Sequence, residues 1–75
     1  MHPISKETAS QIAVEHLKRQ KHTEKIYVAL VESNGEGWIV SGTCPIDLLG
    51  NRWAEKFQVT VDSKGRIRST DCSLL

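Results

Sequence analysis

The chain has 75 residues, of which 39% are apolar and 25% are charged, and this length leaves room for one hydrophobic core. We therefore expect a single domain over residues 1–75, with a folded surface of about 4,600 Å². Ten basic and nine acidic side chains give a net charge of +1, which argues against nucleic acid as a partner. The longest apolar run, Ile26 to Val31, is too short to cross a membrane, and no leader pattern is present. We therefore expect a cytoplasmic protein that binds neither nucleic acid nor a membrane.

The two cysteines, Cys44 and Cys72, do not form a CxxC motif, and a small disulfide-stabilised secreted domain usually carries four or more cysteines. We interpret both as reduced thiols that are not joined and not catalytic. This interpretation agrees with the predicted cytoplasmic location.

Residues 5–20 predict an amphipathic helix. Ser5 is a suitable N-cap, Glu7 lies in the first turn, and basic residues follow in the last turn, as the helix dipole favours. Small and apolar side chains recur at the spacing of one helical face, together with one histidine: Ala9, Ile12, Ala13, His16 and Leu17. Such a narrow face is suited to close packing on a sheet.

From residue 26 onward the pattern is that of β-strands. The segments 26–31 and 38–43 are rich in β-branched and aromatic residues, and the intervening Asn34 and Gly35 predict a two-residue type I′ turn. With that turn Val31 would lie opposite Trp38. A longer loop would shift this register, and the sequence leaves both registers open.

Residues 44–50 predict a connector, because Pro45 should end the second strand and Gly50 marks a turn. The connector is unusually apolar. Its residues Ile46, Leu48 and Leu49 could fold back over an uncovered face of the sheet.

The remaining residues predict two further strands. Residues 52–61 alternate between apolar and polar side chains, as expected of a strand with one buried face. A tight turn at 62–65 follows, in which Gly65 takes a positive φ and tolerates substitution less well than Gly37. Residues 66–73 then form a polar edge strand. The predicted fold class is α+β, with one N-terminal helix packed on a four-stranded antiparallel meander in the order α-β-β-β-β.

Three segments of this sequence resemble PepSY domains, which are small cystatin-like modules. Residues 4–17 (ISKETASQIAVEHL) are similar to the helix that begins these domains. Residues 53–67 (WAEKFQVTVDSKGRI) are similar to their closing hairpin, and residues 38–40 (WIV) match the W-x-V of their middle strand. The resemblance implies an α+β fold and a noncatalytic, usually extracytoplasmic module that binds or restrains proteins such as peptidases. The chain differs from that pattern in lacking a leader and in having residues 44–50.

The residues that could support catalysis or metal binding do not form a recognised motif. Cys44 could pair with one of the three histidines (His2, His16 and His22), but no spacing brings a thiol, a base and an orienting group together. The same residues lack the local pairing typical of metal sites. Glu55 interrupts an apolar face, which would be consistent either with an acid–base role or with a solvent-exposed strand end. We predict no catalytic residue, no metal and no cofactor.

The first hairpin carries apolar side chains on both faces, and one helix covers only about two strands on one side. We therefore predict a binding surface on the second face, formed by Tyr27, Val31, Trp38 and Val40. The expected function is that of a noncatalytic protein- or peptide-binding module, with a weak homodimer as one form of that binding. The alternative is a subunit of a homo-oligomeric enzyme or ligand-binding assembly whose site forms between chains.

Overall fold

A computed structural model describes residues 4–74, apart from the side chain of Leu48. Its elements follow the predicted order, with one helix followed by four strands: α1 (Lys6–Lys21), β1 (Tyr27–Ser33), β2 (Gly37–Leu48), β3 (Asn51–Asp62) and β4 (Ile67–Leu74). The strands form one antiparallel sheet in the order β1-β2-β3-β4. Helix α1 packs across β1, β2 and β3. We call the covered face of the sheet the helix side and the other face the open side.

Capping at both ends sets the limits of α1. The Ser5 hydroxyl accepts a hydrogen bond from the backbone N–H of Thr8, as predicted for the N-cap. At the other end His22 has a φ of 53°, and its N–H donates to the carbonyl of Lys18. This left-handed residue ends the helix in the way that a glycine often does.

The core lies between α1 and the helix side of the sheet. Three helix residues (Ala9, Ala13 and Leu17) are buried against Val40, Phe57, Val59 and Val61. The alanines allow the helix backbone to approach the sheet closely. The predicted inward face of the helix is thereby confirmed, as is that of the third strand at Phe57, Val59 and Val61, whereas Trp53 on the same face is exposed.

The first hairpin has the longer of the two loops that the sequence left open. Val31 pairs with Val40, and Ser33 pairs with Trp38, so the pairing of Val31 with Trp38 expected from a two-residue turn is wrong. A type I′ turn needs a positive φ at both central residues, whereas in this loop only Gly35 has one. The Asn34 side chain instead accepts a hydrogen bond from the N–H of Glu36.

A β-bulge at Ala29 changes which residues of β1 face the helix. Val28 pairs with Gly42 and Leu30 pairs with Ser41, so Ala29 has no partner on β2. The bulge reverses the alternation, and Tyr27 lies on the open side whereas Val31 lies on the helix side. A segment that is apolar on both faces carries no period-two signal from which this reversal could be predicted.

The predicted connector at residues 44–50 is wrong, because residues 44–48 continue strand β2 and pair with β3, and only the turn marked by Gly50 forms as expected. The β2–β3 register runs without a break from Gly37↔Asp62 to Leu48↔Asn51, and Leu49 and Gly50 make the turn. Pro45 is tolerated because β1 has already ended, at Tyr27↔Thr43, so this part of β2 is an edge strand.

The end of the β2–β3 hairpin extends beyond the rest of the fold. We call residues 45–54 the arm. Within residues 4–74, no strand pairs with either edge of the arm, since the pairing of β4 with β3 ends at Leu74↔Glu55. A 16-residue helix is about 24 Å long, whereas 12-residue strands are about 40 Å long. The helix therefore cannot cover the whole hairpin, and the molecule measures 47 × 19 × 17 Å.

The turn at residues 62–65 forms as predicted. Gly65 has a φ of 86°, and the Asp62 carboxylate accepts hydrogen bonds from the backbone N–H groups of Arg66 (2.8 Å) and Lys64 (2.9 Å). These bonds lower the pKa of Asp62 below its ordinary value of 3.8. Gly37 is more constrained than expected, because a Cβ there would overlap the carbonyl oxygen of Val61.

Candidate functional site

The binding surface predicted from the sequence does not form one exposed face. Val40 is fully buried under the helix, and Val31 packs against the core. Trp38 also packs against the core, and its indole N–H donates a hydrogen bond to the carbonyl of Ile4 at 3.1 Å. Tyr27 is 59% exposed, but it lies on the open side because of the bulge. Three of the four predicted residues therefore contribute to the core rather than to an accessible surface.

The structure instead exposes apolar side chains on the helix side of the arm. Trp53 continues the alternation of Phe57 and Glu55 along β3 and lies directly opposite Ile46. Both face the side that α1 covers further along, but the helix ends before reaching them. Trp53 is 48% exposed, and Leu74, which lies beside Glu55 at the base of the arm, is 56% exposed. The apolar face of the sheet thus extends beyond the end of the helix that covers the rest of this face.

The turn at the tip of the arm combines exposure with backbone strain. Leu49 has a φ of 52° and Gly50 a φ of 80°, which are the two positive values of a type I′ turn. Asparagine or glycine normally occupies the first of these positions. A leucine there costs about 1–2 kcal/mol, and the Leu49 side chain is fully exposed. Leu49 therefore contributes nothing to the fold that would offset this cost.

An ion pair marks the boundary between the arm and the covered sheet. The Lys21 ammonium, in the last turn of α1, contacts the Glu55 carboxylate, and both side chains are less than one-fifth exposed. This hydrogen bond raises the pKa of Lys21 above its ordinary value of 10.5. Glu55 therefore does not lie at a frayed strand end, and the helix supplies its counter-ion.

The environment of Cys44 disfavours a nucleophilic role. Its thiol is buried, and this burial raises its pKa, which reduces the fraction of reactive thiolate. Cys72 is exposed, and both cysteines are free, which confirms that they are not joined.

The two described histidines have structural contacts of their own. His16 lies in contact with Thr70, with 3.2 Å between Nε2 and Oγ1, and His22 caps the helix. The predicted candidate His2 lies outside the described residues. Within residues 4–74, no three histidine, cysteine or acidic side chains are grouped as metal ligands would be.

Several open depressions also lie on the described surface, and two of them border the β4 strand. A groove of about 430 Å³ between α1 and β4 is lined by Ile12, His16 and Ile67 with charged residues at its rim. A depression of about 330 Å³ on the open side is lined mainly by polar residues, among them Lys56 and Asp71. Both are shallow, and neither contains a convergent set of reactive groups.

The arm surface could have been suspected from the sequence, because residues 44–50 are too apolar for an ordinary loop and Leu49 precedes Gly50 at a turn. What the sequence did not reveal is that Trp53 would lie beyond the helix.

Helix α1 itself, among the described residues, is neither long nor apolar enough to cross a membrane. Comparisons of the chain with protein-family models, with curated proteins and with solved structures gave no match.

Proposed function

We propose that this protein is a noncatalytic protein-binding module and that the arm is its contact surface. One observation carries this proposal: the apolar helix-side face of the sheet continues into a two-stranded arm that α1 does not cover. A two-stranded hairpin is at best marginally stable by itself in water. Contact with another protein would bury Trp53 and Leu49 and stabilise the arm.

The strained tip of the arm supports the same proposal. A fully exposed leucine at positive φ reduces the stability of the isolated chain, and strain of this kind is concentrated at functional positions. Trp53, as a half-exposed aromatic residue beside apolar neighbours, has the character of an interface anchor. The resemblance to PepSY domains, whose role is to bind proteins, points in the same direction.

Affinity capture with matched variants tests this proposal. The immobilised bait would be the wild-type chain, the arm variant Trp53→Lys, or the control variant Leu30→Lys. Leu30 is 51% exposed, nearly the same as Trp53, but lies on the open side. We expect at least one protein, which can be the chain itself, to be retained by wild type and by Leu30→Lys and lost with Trp53→Lys. Equal retention by all three baits would refute the arm as the contact surface.

A further inference from the structure

We infer that the partner of the arm is a second copy of this chain, and this inference rests on the proposed function. In the dimer the helix-side faces of two arms stack on each other across a two-fold axis. The arms run in opposite directions, so that each tip lies against the end of α1 in the partner. Trp53 and Leu49 of each copy would be buried by the same contact.

The shape of the molecule provides space for a second arm. Helix α1 ends beside Glu55, and the helix side of the arm beyond it carries the half-exposed Trp53. We call the space over this part of the arm, next to the end of the helix, the notch. The depth of the notch is one helix diameter, about 10 Å, which equals the spacing between two packed sheets. An arm from a second copy therefore fits into the layer that α1 occupies elsewhere. Each copy carries both the arm and the notch, so a two-fold axis places the arm of each copy in the notch of the other.

The exposed surface is of the size that such a contact requires. The accessible surface is 5428 Å², which exceeds by roughly 800 Å² the value of about 4,600 Å² expected for a compact chain of this mass. A standard interface buries about 800 Å² of each partner. The excess follows from the elongated shape of the molecule, to which the arm contributes, and its size is comparable to one side of an interface.

The apolar part of the contact can be estimated separately. A large side chain presents about 200 Å² when fully exposed. From their exposed fractions, Trp53, Leu49 and Leu74 then present roughly 400 Å² per copy. Two copies would bury about 800 Å² of apolar surface, which corresponds to about 1,300 Å² in total if some 60% of the interface is apolar. That total lies at the low end for specific complexes, so we expect a weak dimer with a Kd on the order of 10–100 µM.

The distribution of charge allows two identical faces to meet. Beyond the base of the arm, the helix-side positions of residues 46–53 hold no charged residue. The two charged residues of the arm, Asp47 and Arg52, are paired opposite each other on the open side. Glu55, at the base, already has Lys21 as its counter-ion. Two copies therefore stack without bringing like charges together, whereas a charged partner would find no complementary charge on this face.

Sedimentation equilibrium of the full chain, from about 5 µM to 1 mM, tests this inference. The wild type should show a monomer–dimer equilibrium. Trp53→Lys should raise the Kd at least tenfold, and Leu30→Lys should leave the Kd within twofold of wild type. Leu49→Asn gives a check that does not depend on loss of folding, because asparagine suits the turn. We expect it to raise the Tm of the dilute monomer and also to raise the Kd of the dimer.

A wild type that remains monomeric at 1 mM would overturn the second copy as partner. Equal effects of Trp53→Lys and Leu30→Lys on a dimer would also overturn the inference, because the contact would then lie elsewhere. If the wild type is monomeric but captures a different protein through the arm, this inference fails and the proposed function stands. If neither self-association nor capture depends on the arm, both fail.

Discussion

The ion pair between Lys21 and Glu55 joins the end of α1 to the base of the arm, and its removal should destabilise the fold measurably. The substitution Lys21→Met keeps the aliphatic stem and removes the charge. The Glu55 carboxylate would then remain on the helix side of the sheet, next to the buried Cys44, without a counter-ion. Because the carboxylate is largely shielded from water, it cannot recover all of its hydration.

The expected loss of stability depends on how far the pair is buried, and the side chains of Lys21 and Glu55 are 19% and 17% exposed. Exposed pairs contribute up to about 1 kcal/mol, and removing one partner of a fully buried pair costs about 3–5 kcal/mol. This pair is intermediate, so we expect Lys21→Met to lower the free energy of unfolding by about 1–2 kcal/mol. For a chain of this length, that loss corresponds to a fall in Tm of roughly 5–15 °C. Glu55→Gln should cost less, because the lysine that remains can extend its ammonium towards water.

Urea denaturation followed by far-ultraviolet circular dichroism would measure these values in a double-mutant cycle. The double variant Lys21→Met/Glu55→Gln should lose less stability than the sum of the single losses, because the carboxylate is no longer stranded. Lys18→Met is the matched control, since it removes a positive charge from the same end of α1 without breaking an ion pair. If Lys21→Met and Lys18→Met cost the same, the reasoning is refuted, because only the shared interaction with the helix dipole would then matter.

Two further predictions follow from the turns of the sheet. Gly37→Ala should destabilise more than Gly65→Ala in thermal melts, because a Cβ at Gly37 overlaps the backbone at Val61, whereas at Gly65 it meets side chains, those of Ile12 at 3.2 Å and Ile4 at 3.8 Å. The opposite order would show that positive φ outweighs close backbone approach here. The pKa of Asp62 is lowered by its hydrogen bonds, so its stabilisation is present above about pH 4 and is lost as the pH falls below that value. Asp62→Asn should therefore flatten this part of the stability–pH profile, and an unchanged profile would show that the hydrogen bonds do not persist in solution.

The sequence predicted the fold where a local feature has only one structural solution. Ser5 could cap only the helix that follows it, and Asp62 and Gly65 define a tight turn through short-range contacts. The alternation at residues 57–61 left one choice of buried face, formed by Phe57, Val59 and Val61. These parts agree with the structure because their determinants lie within a few residues of each other.

The errors arose where the outcome depends on distant partners. Asn34 and Gly35 have the preferred composition of a type I′ turn, yet that turn forms at Leu49 and Gly50, whose composition is unfavourable. The long β2–β3 register determines this placement, because pairing Gly37 with Asp62 at one end leads to Leu49 and Gly50 at the other. Tertiary pairing thus overrides local turn preference.

Distant contacts also explain why three of the four predicted binding residues, Val31, Trp38 and Val40, belong to the core. An excess of apolar surface on the first hairpin was a correct observation, but its location required the bulge at Ala29 and the lateral position of the helix. The helix covers Val40 and stops at Glu55, and the uncovered apolar surface therefore lies further along β3, at Trp53. The helix is about 24 Å long and the strands are about 40 Å long. This difference would have indicated an uncovered end of the hairpin from the sequence, had β2 been recognised as continuing through Pro45.

The arm also has a consequence for how stability and association are related in this protein. The covered part of the β2–β3 hairpin is held by α1 and by two neighbouring strands, whereas, among the described residues, those at 45–54 pair only with each other. Stabilising the tip, as Leu49→Asn should do, removes the apolar side chain that a partner would bury. Under the proposed function, stability of the monomer and affinity for a partner should therefore oppose each other at one residue. That opposition distinguishes a contact surface from a poorly packed loop, in which replacing an exposed, strained leucine would improve stability and change nothing else.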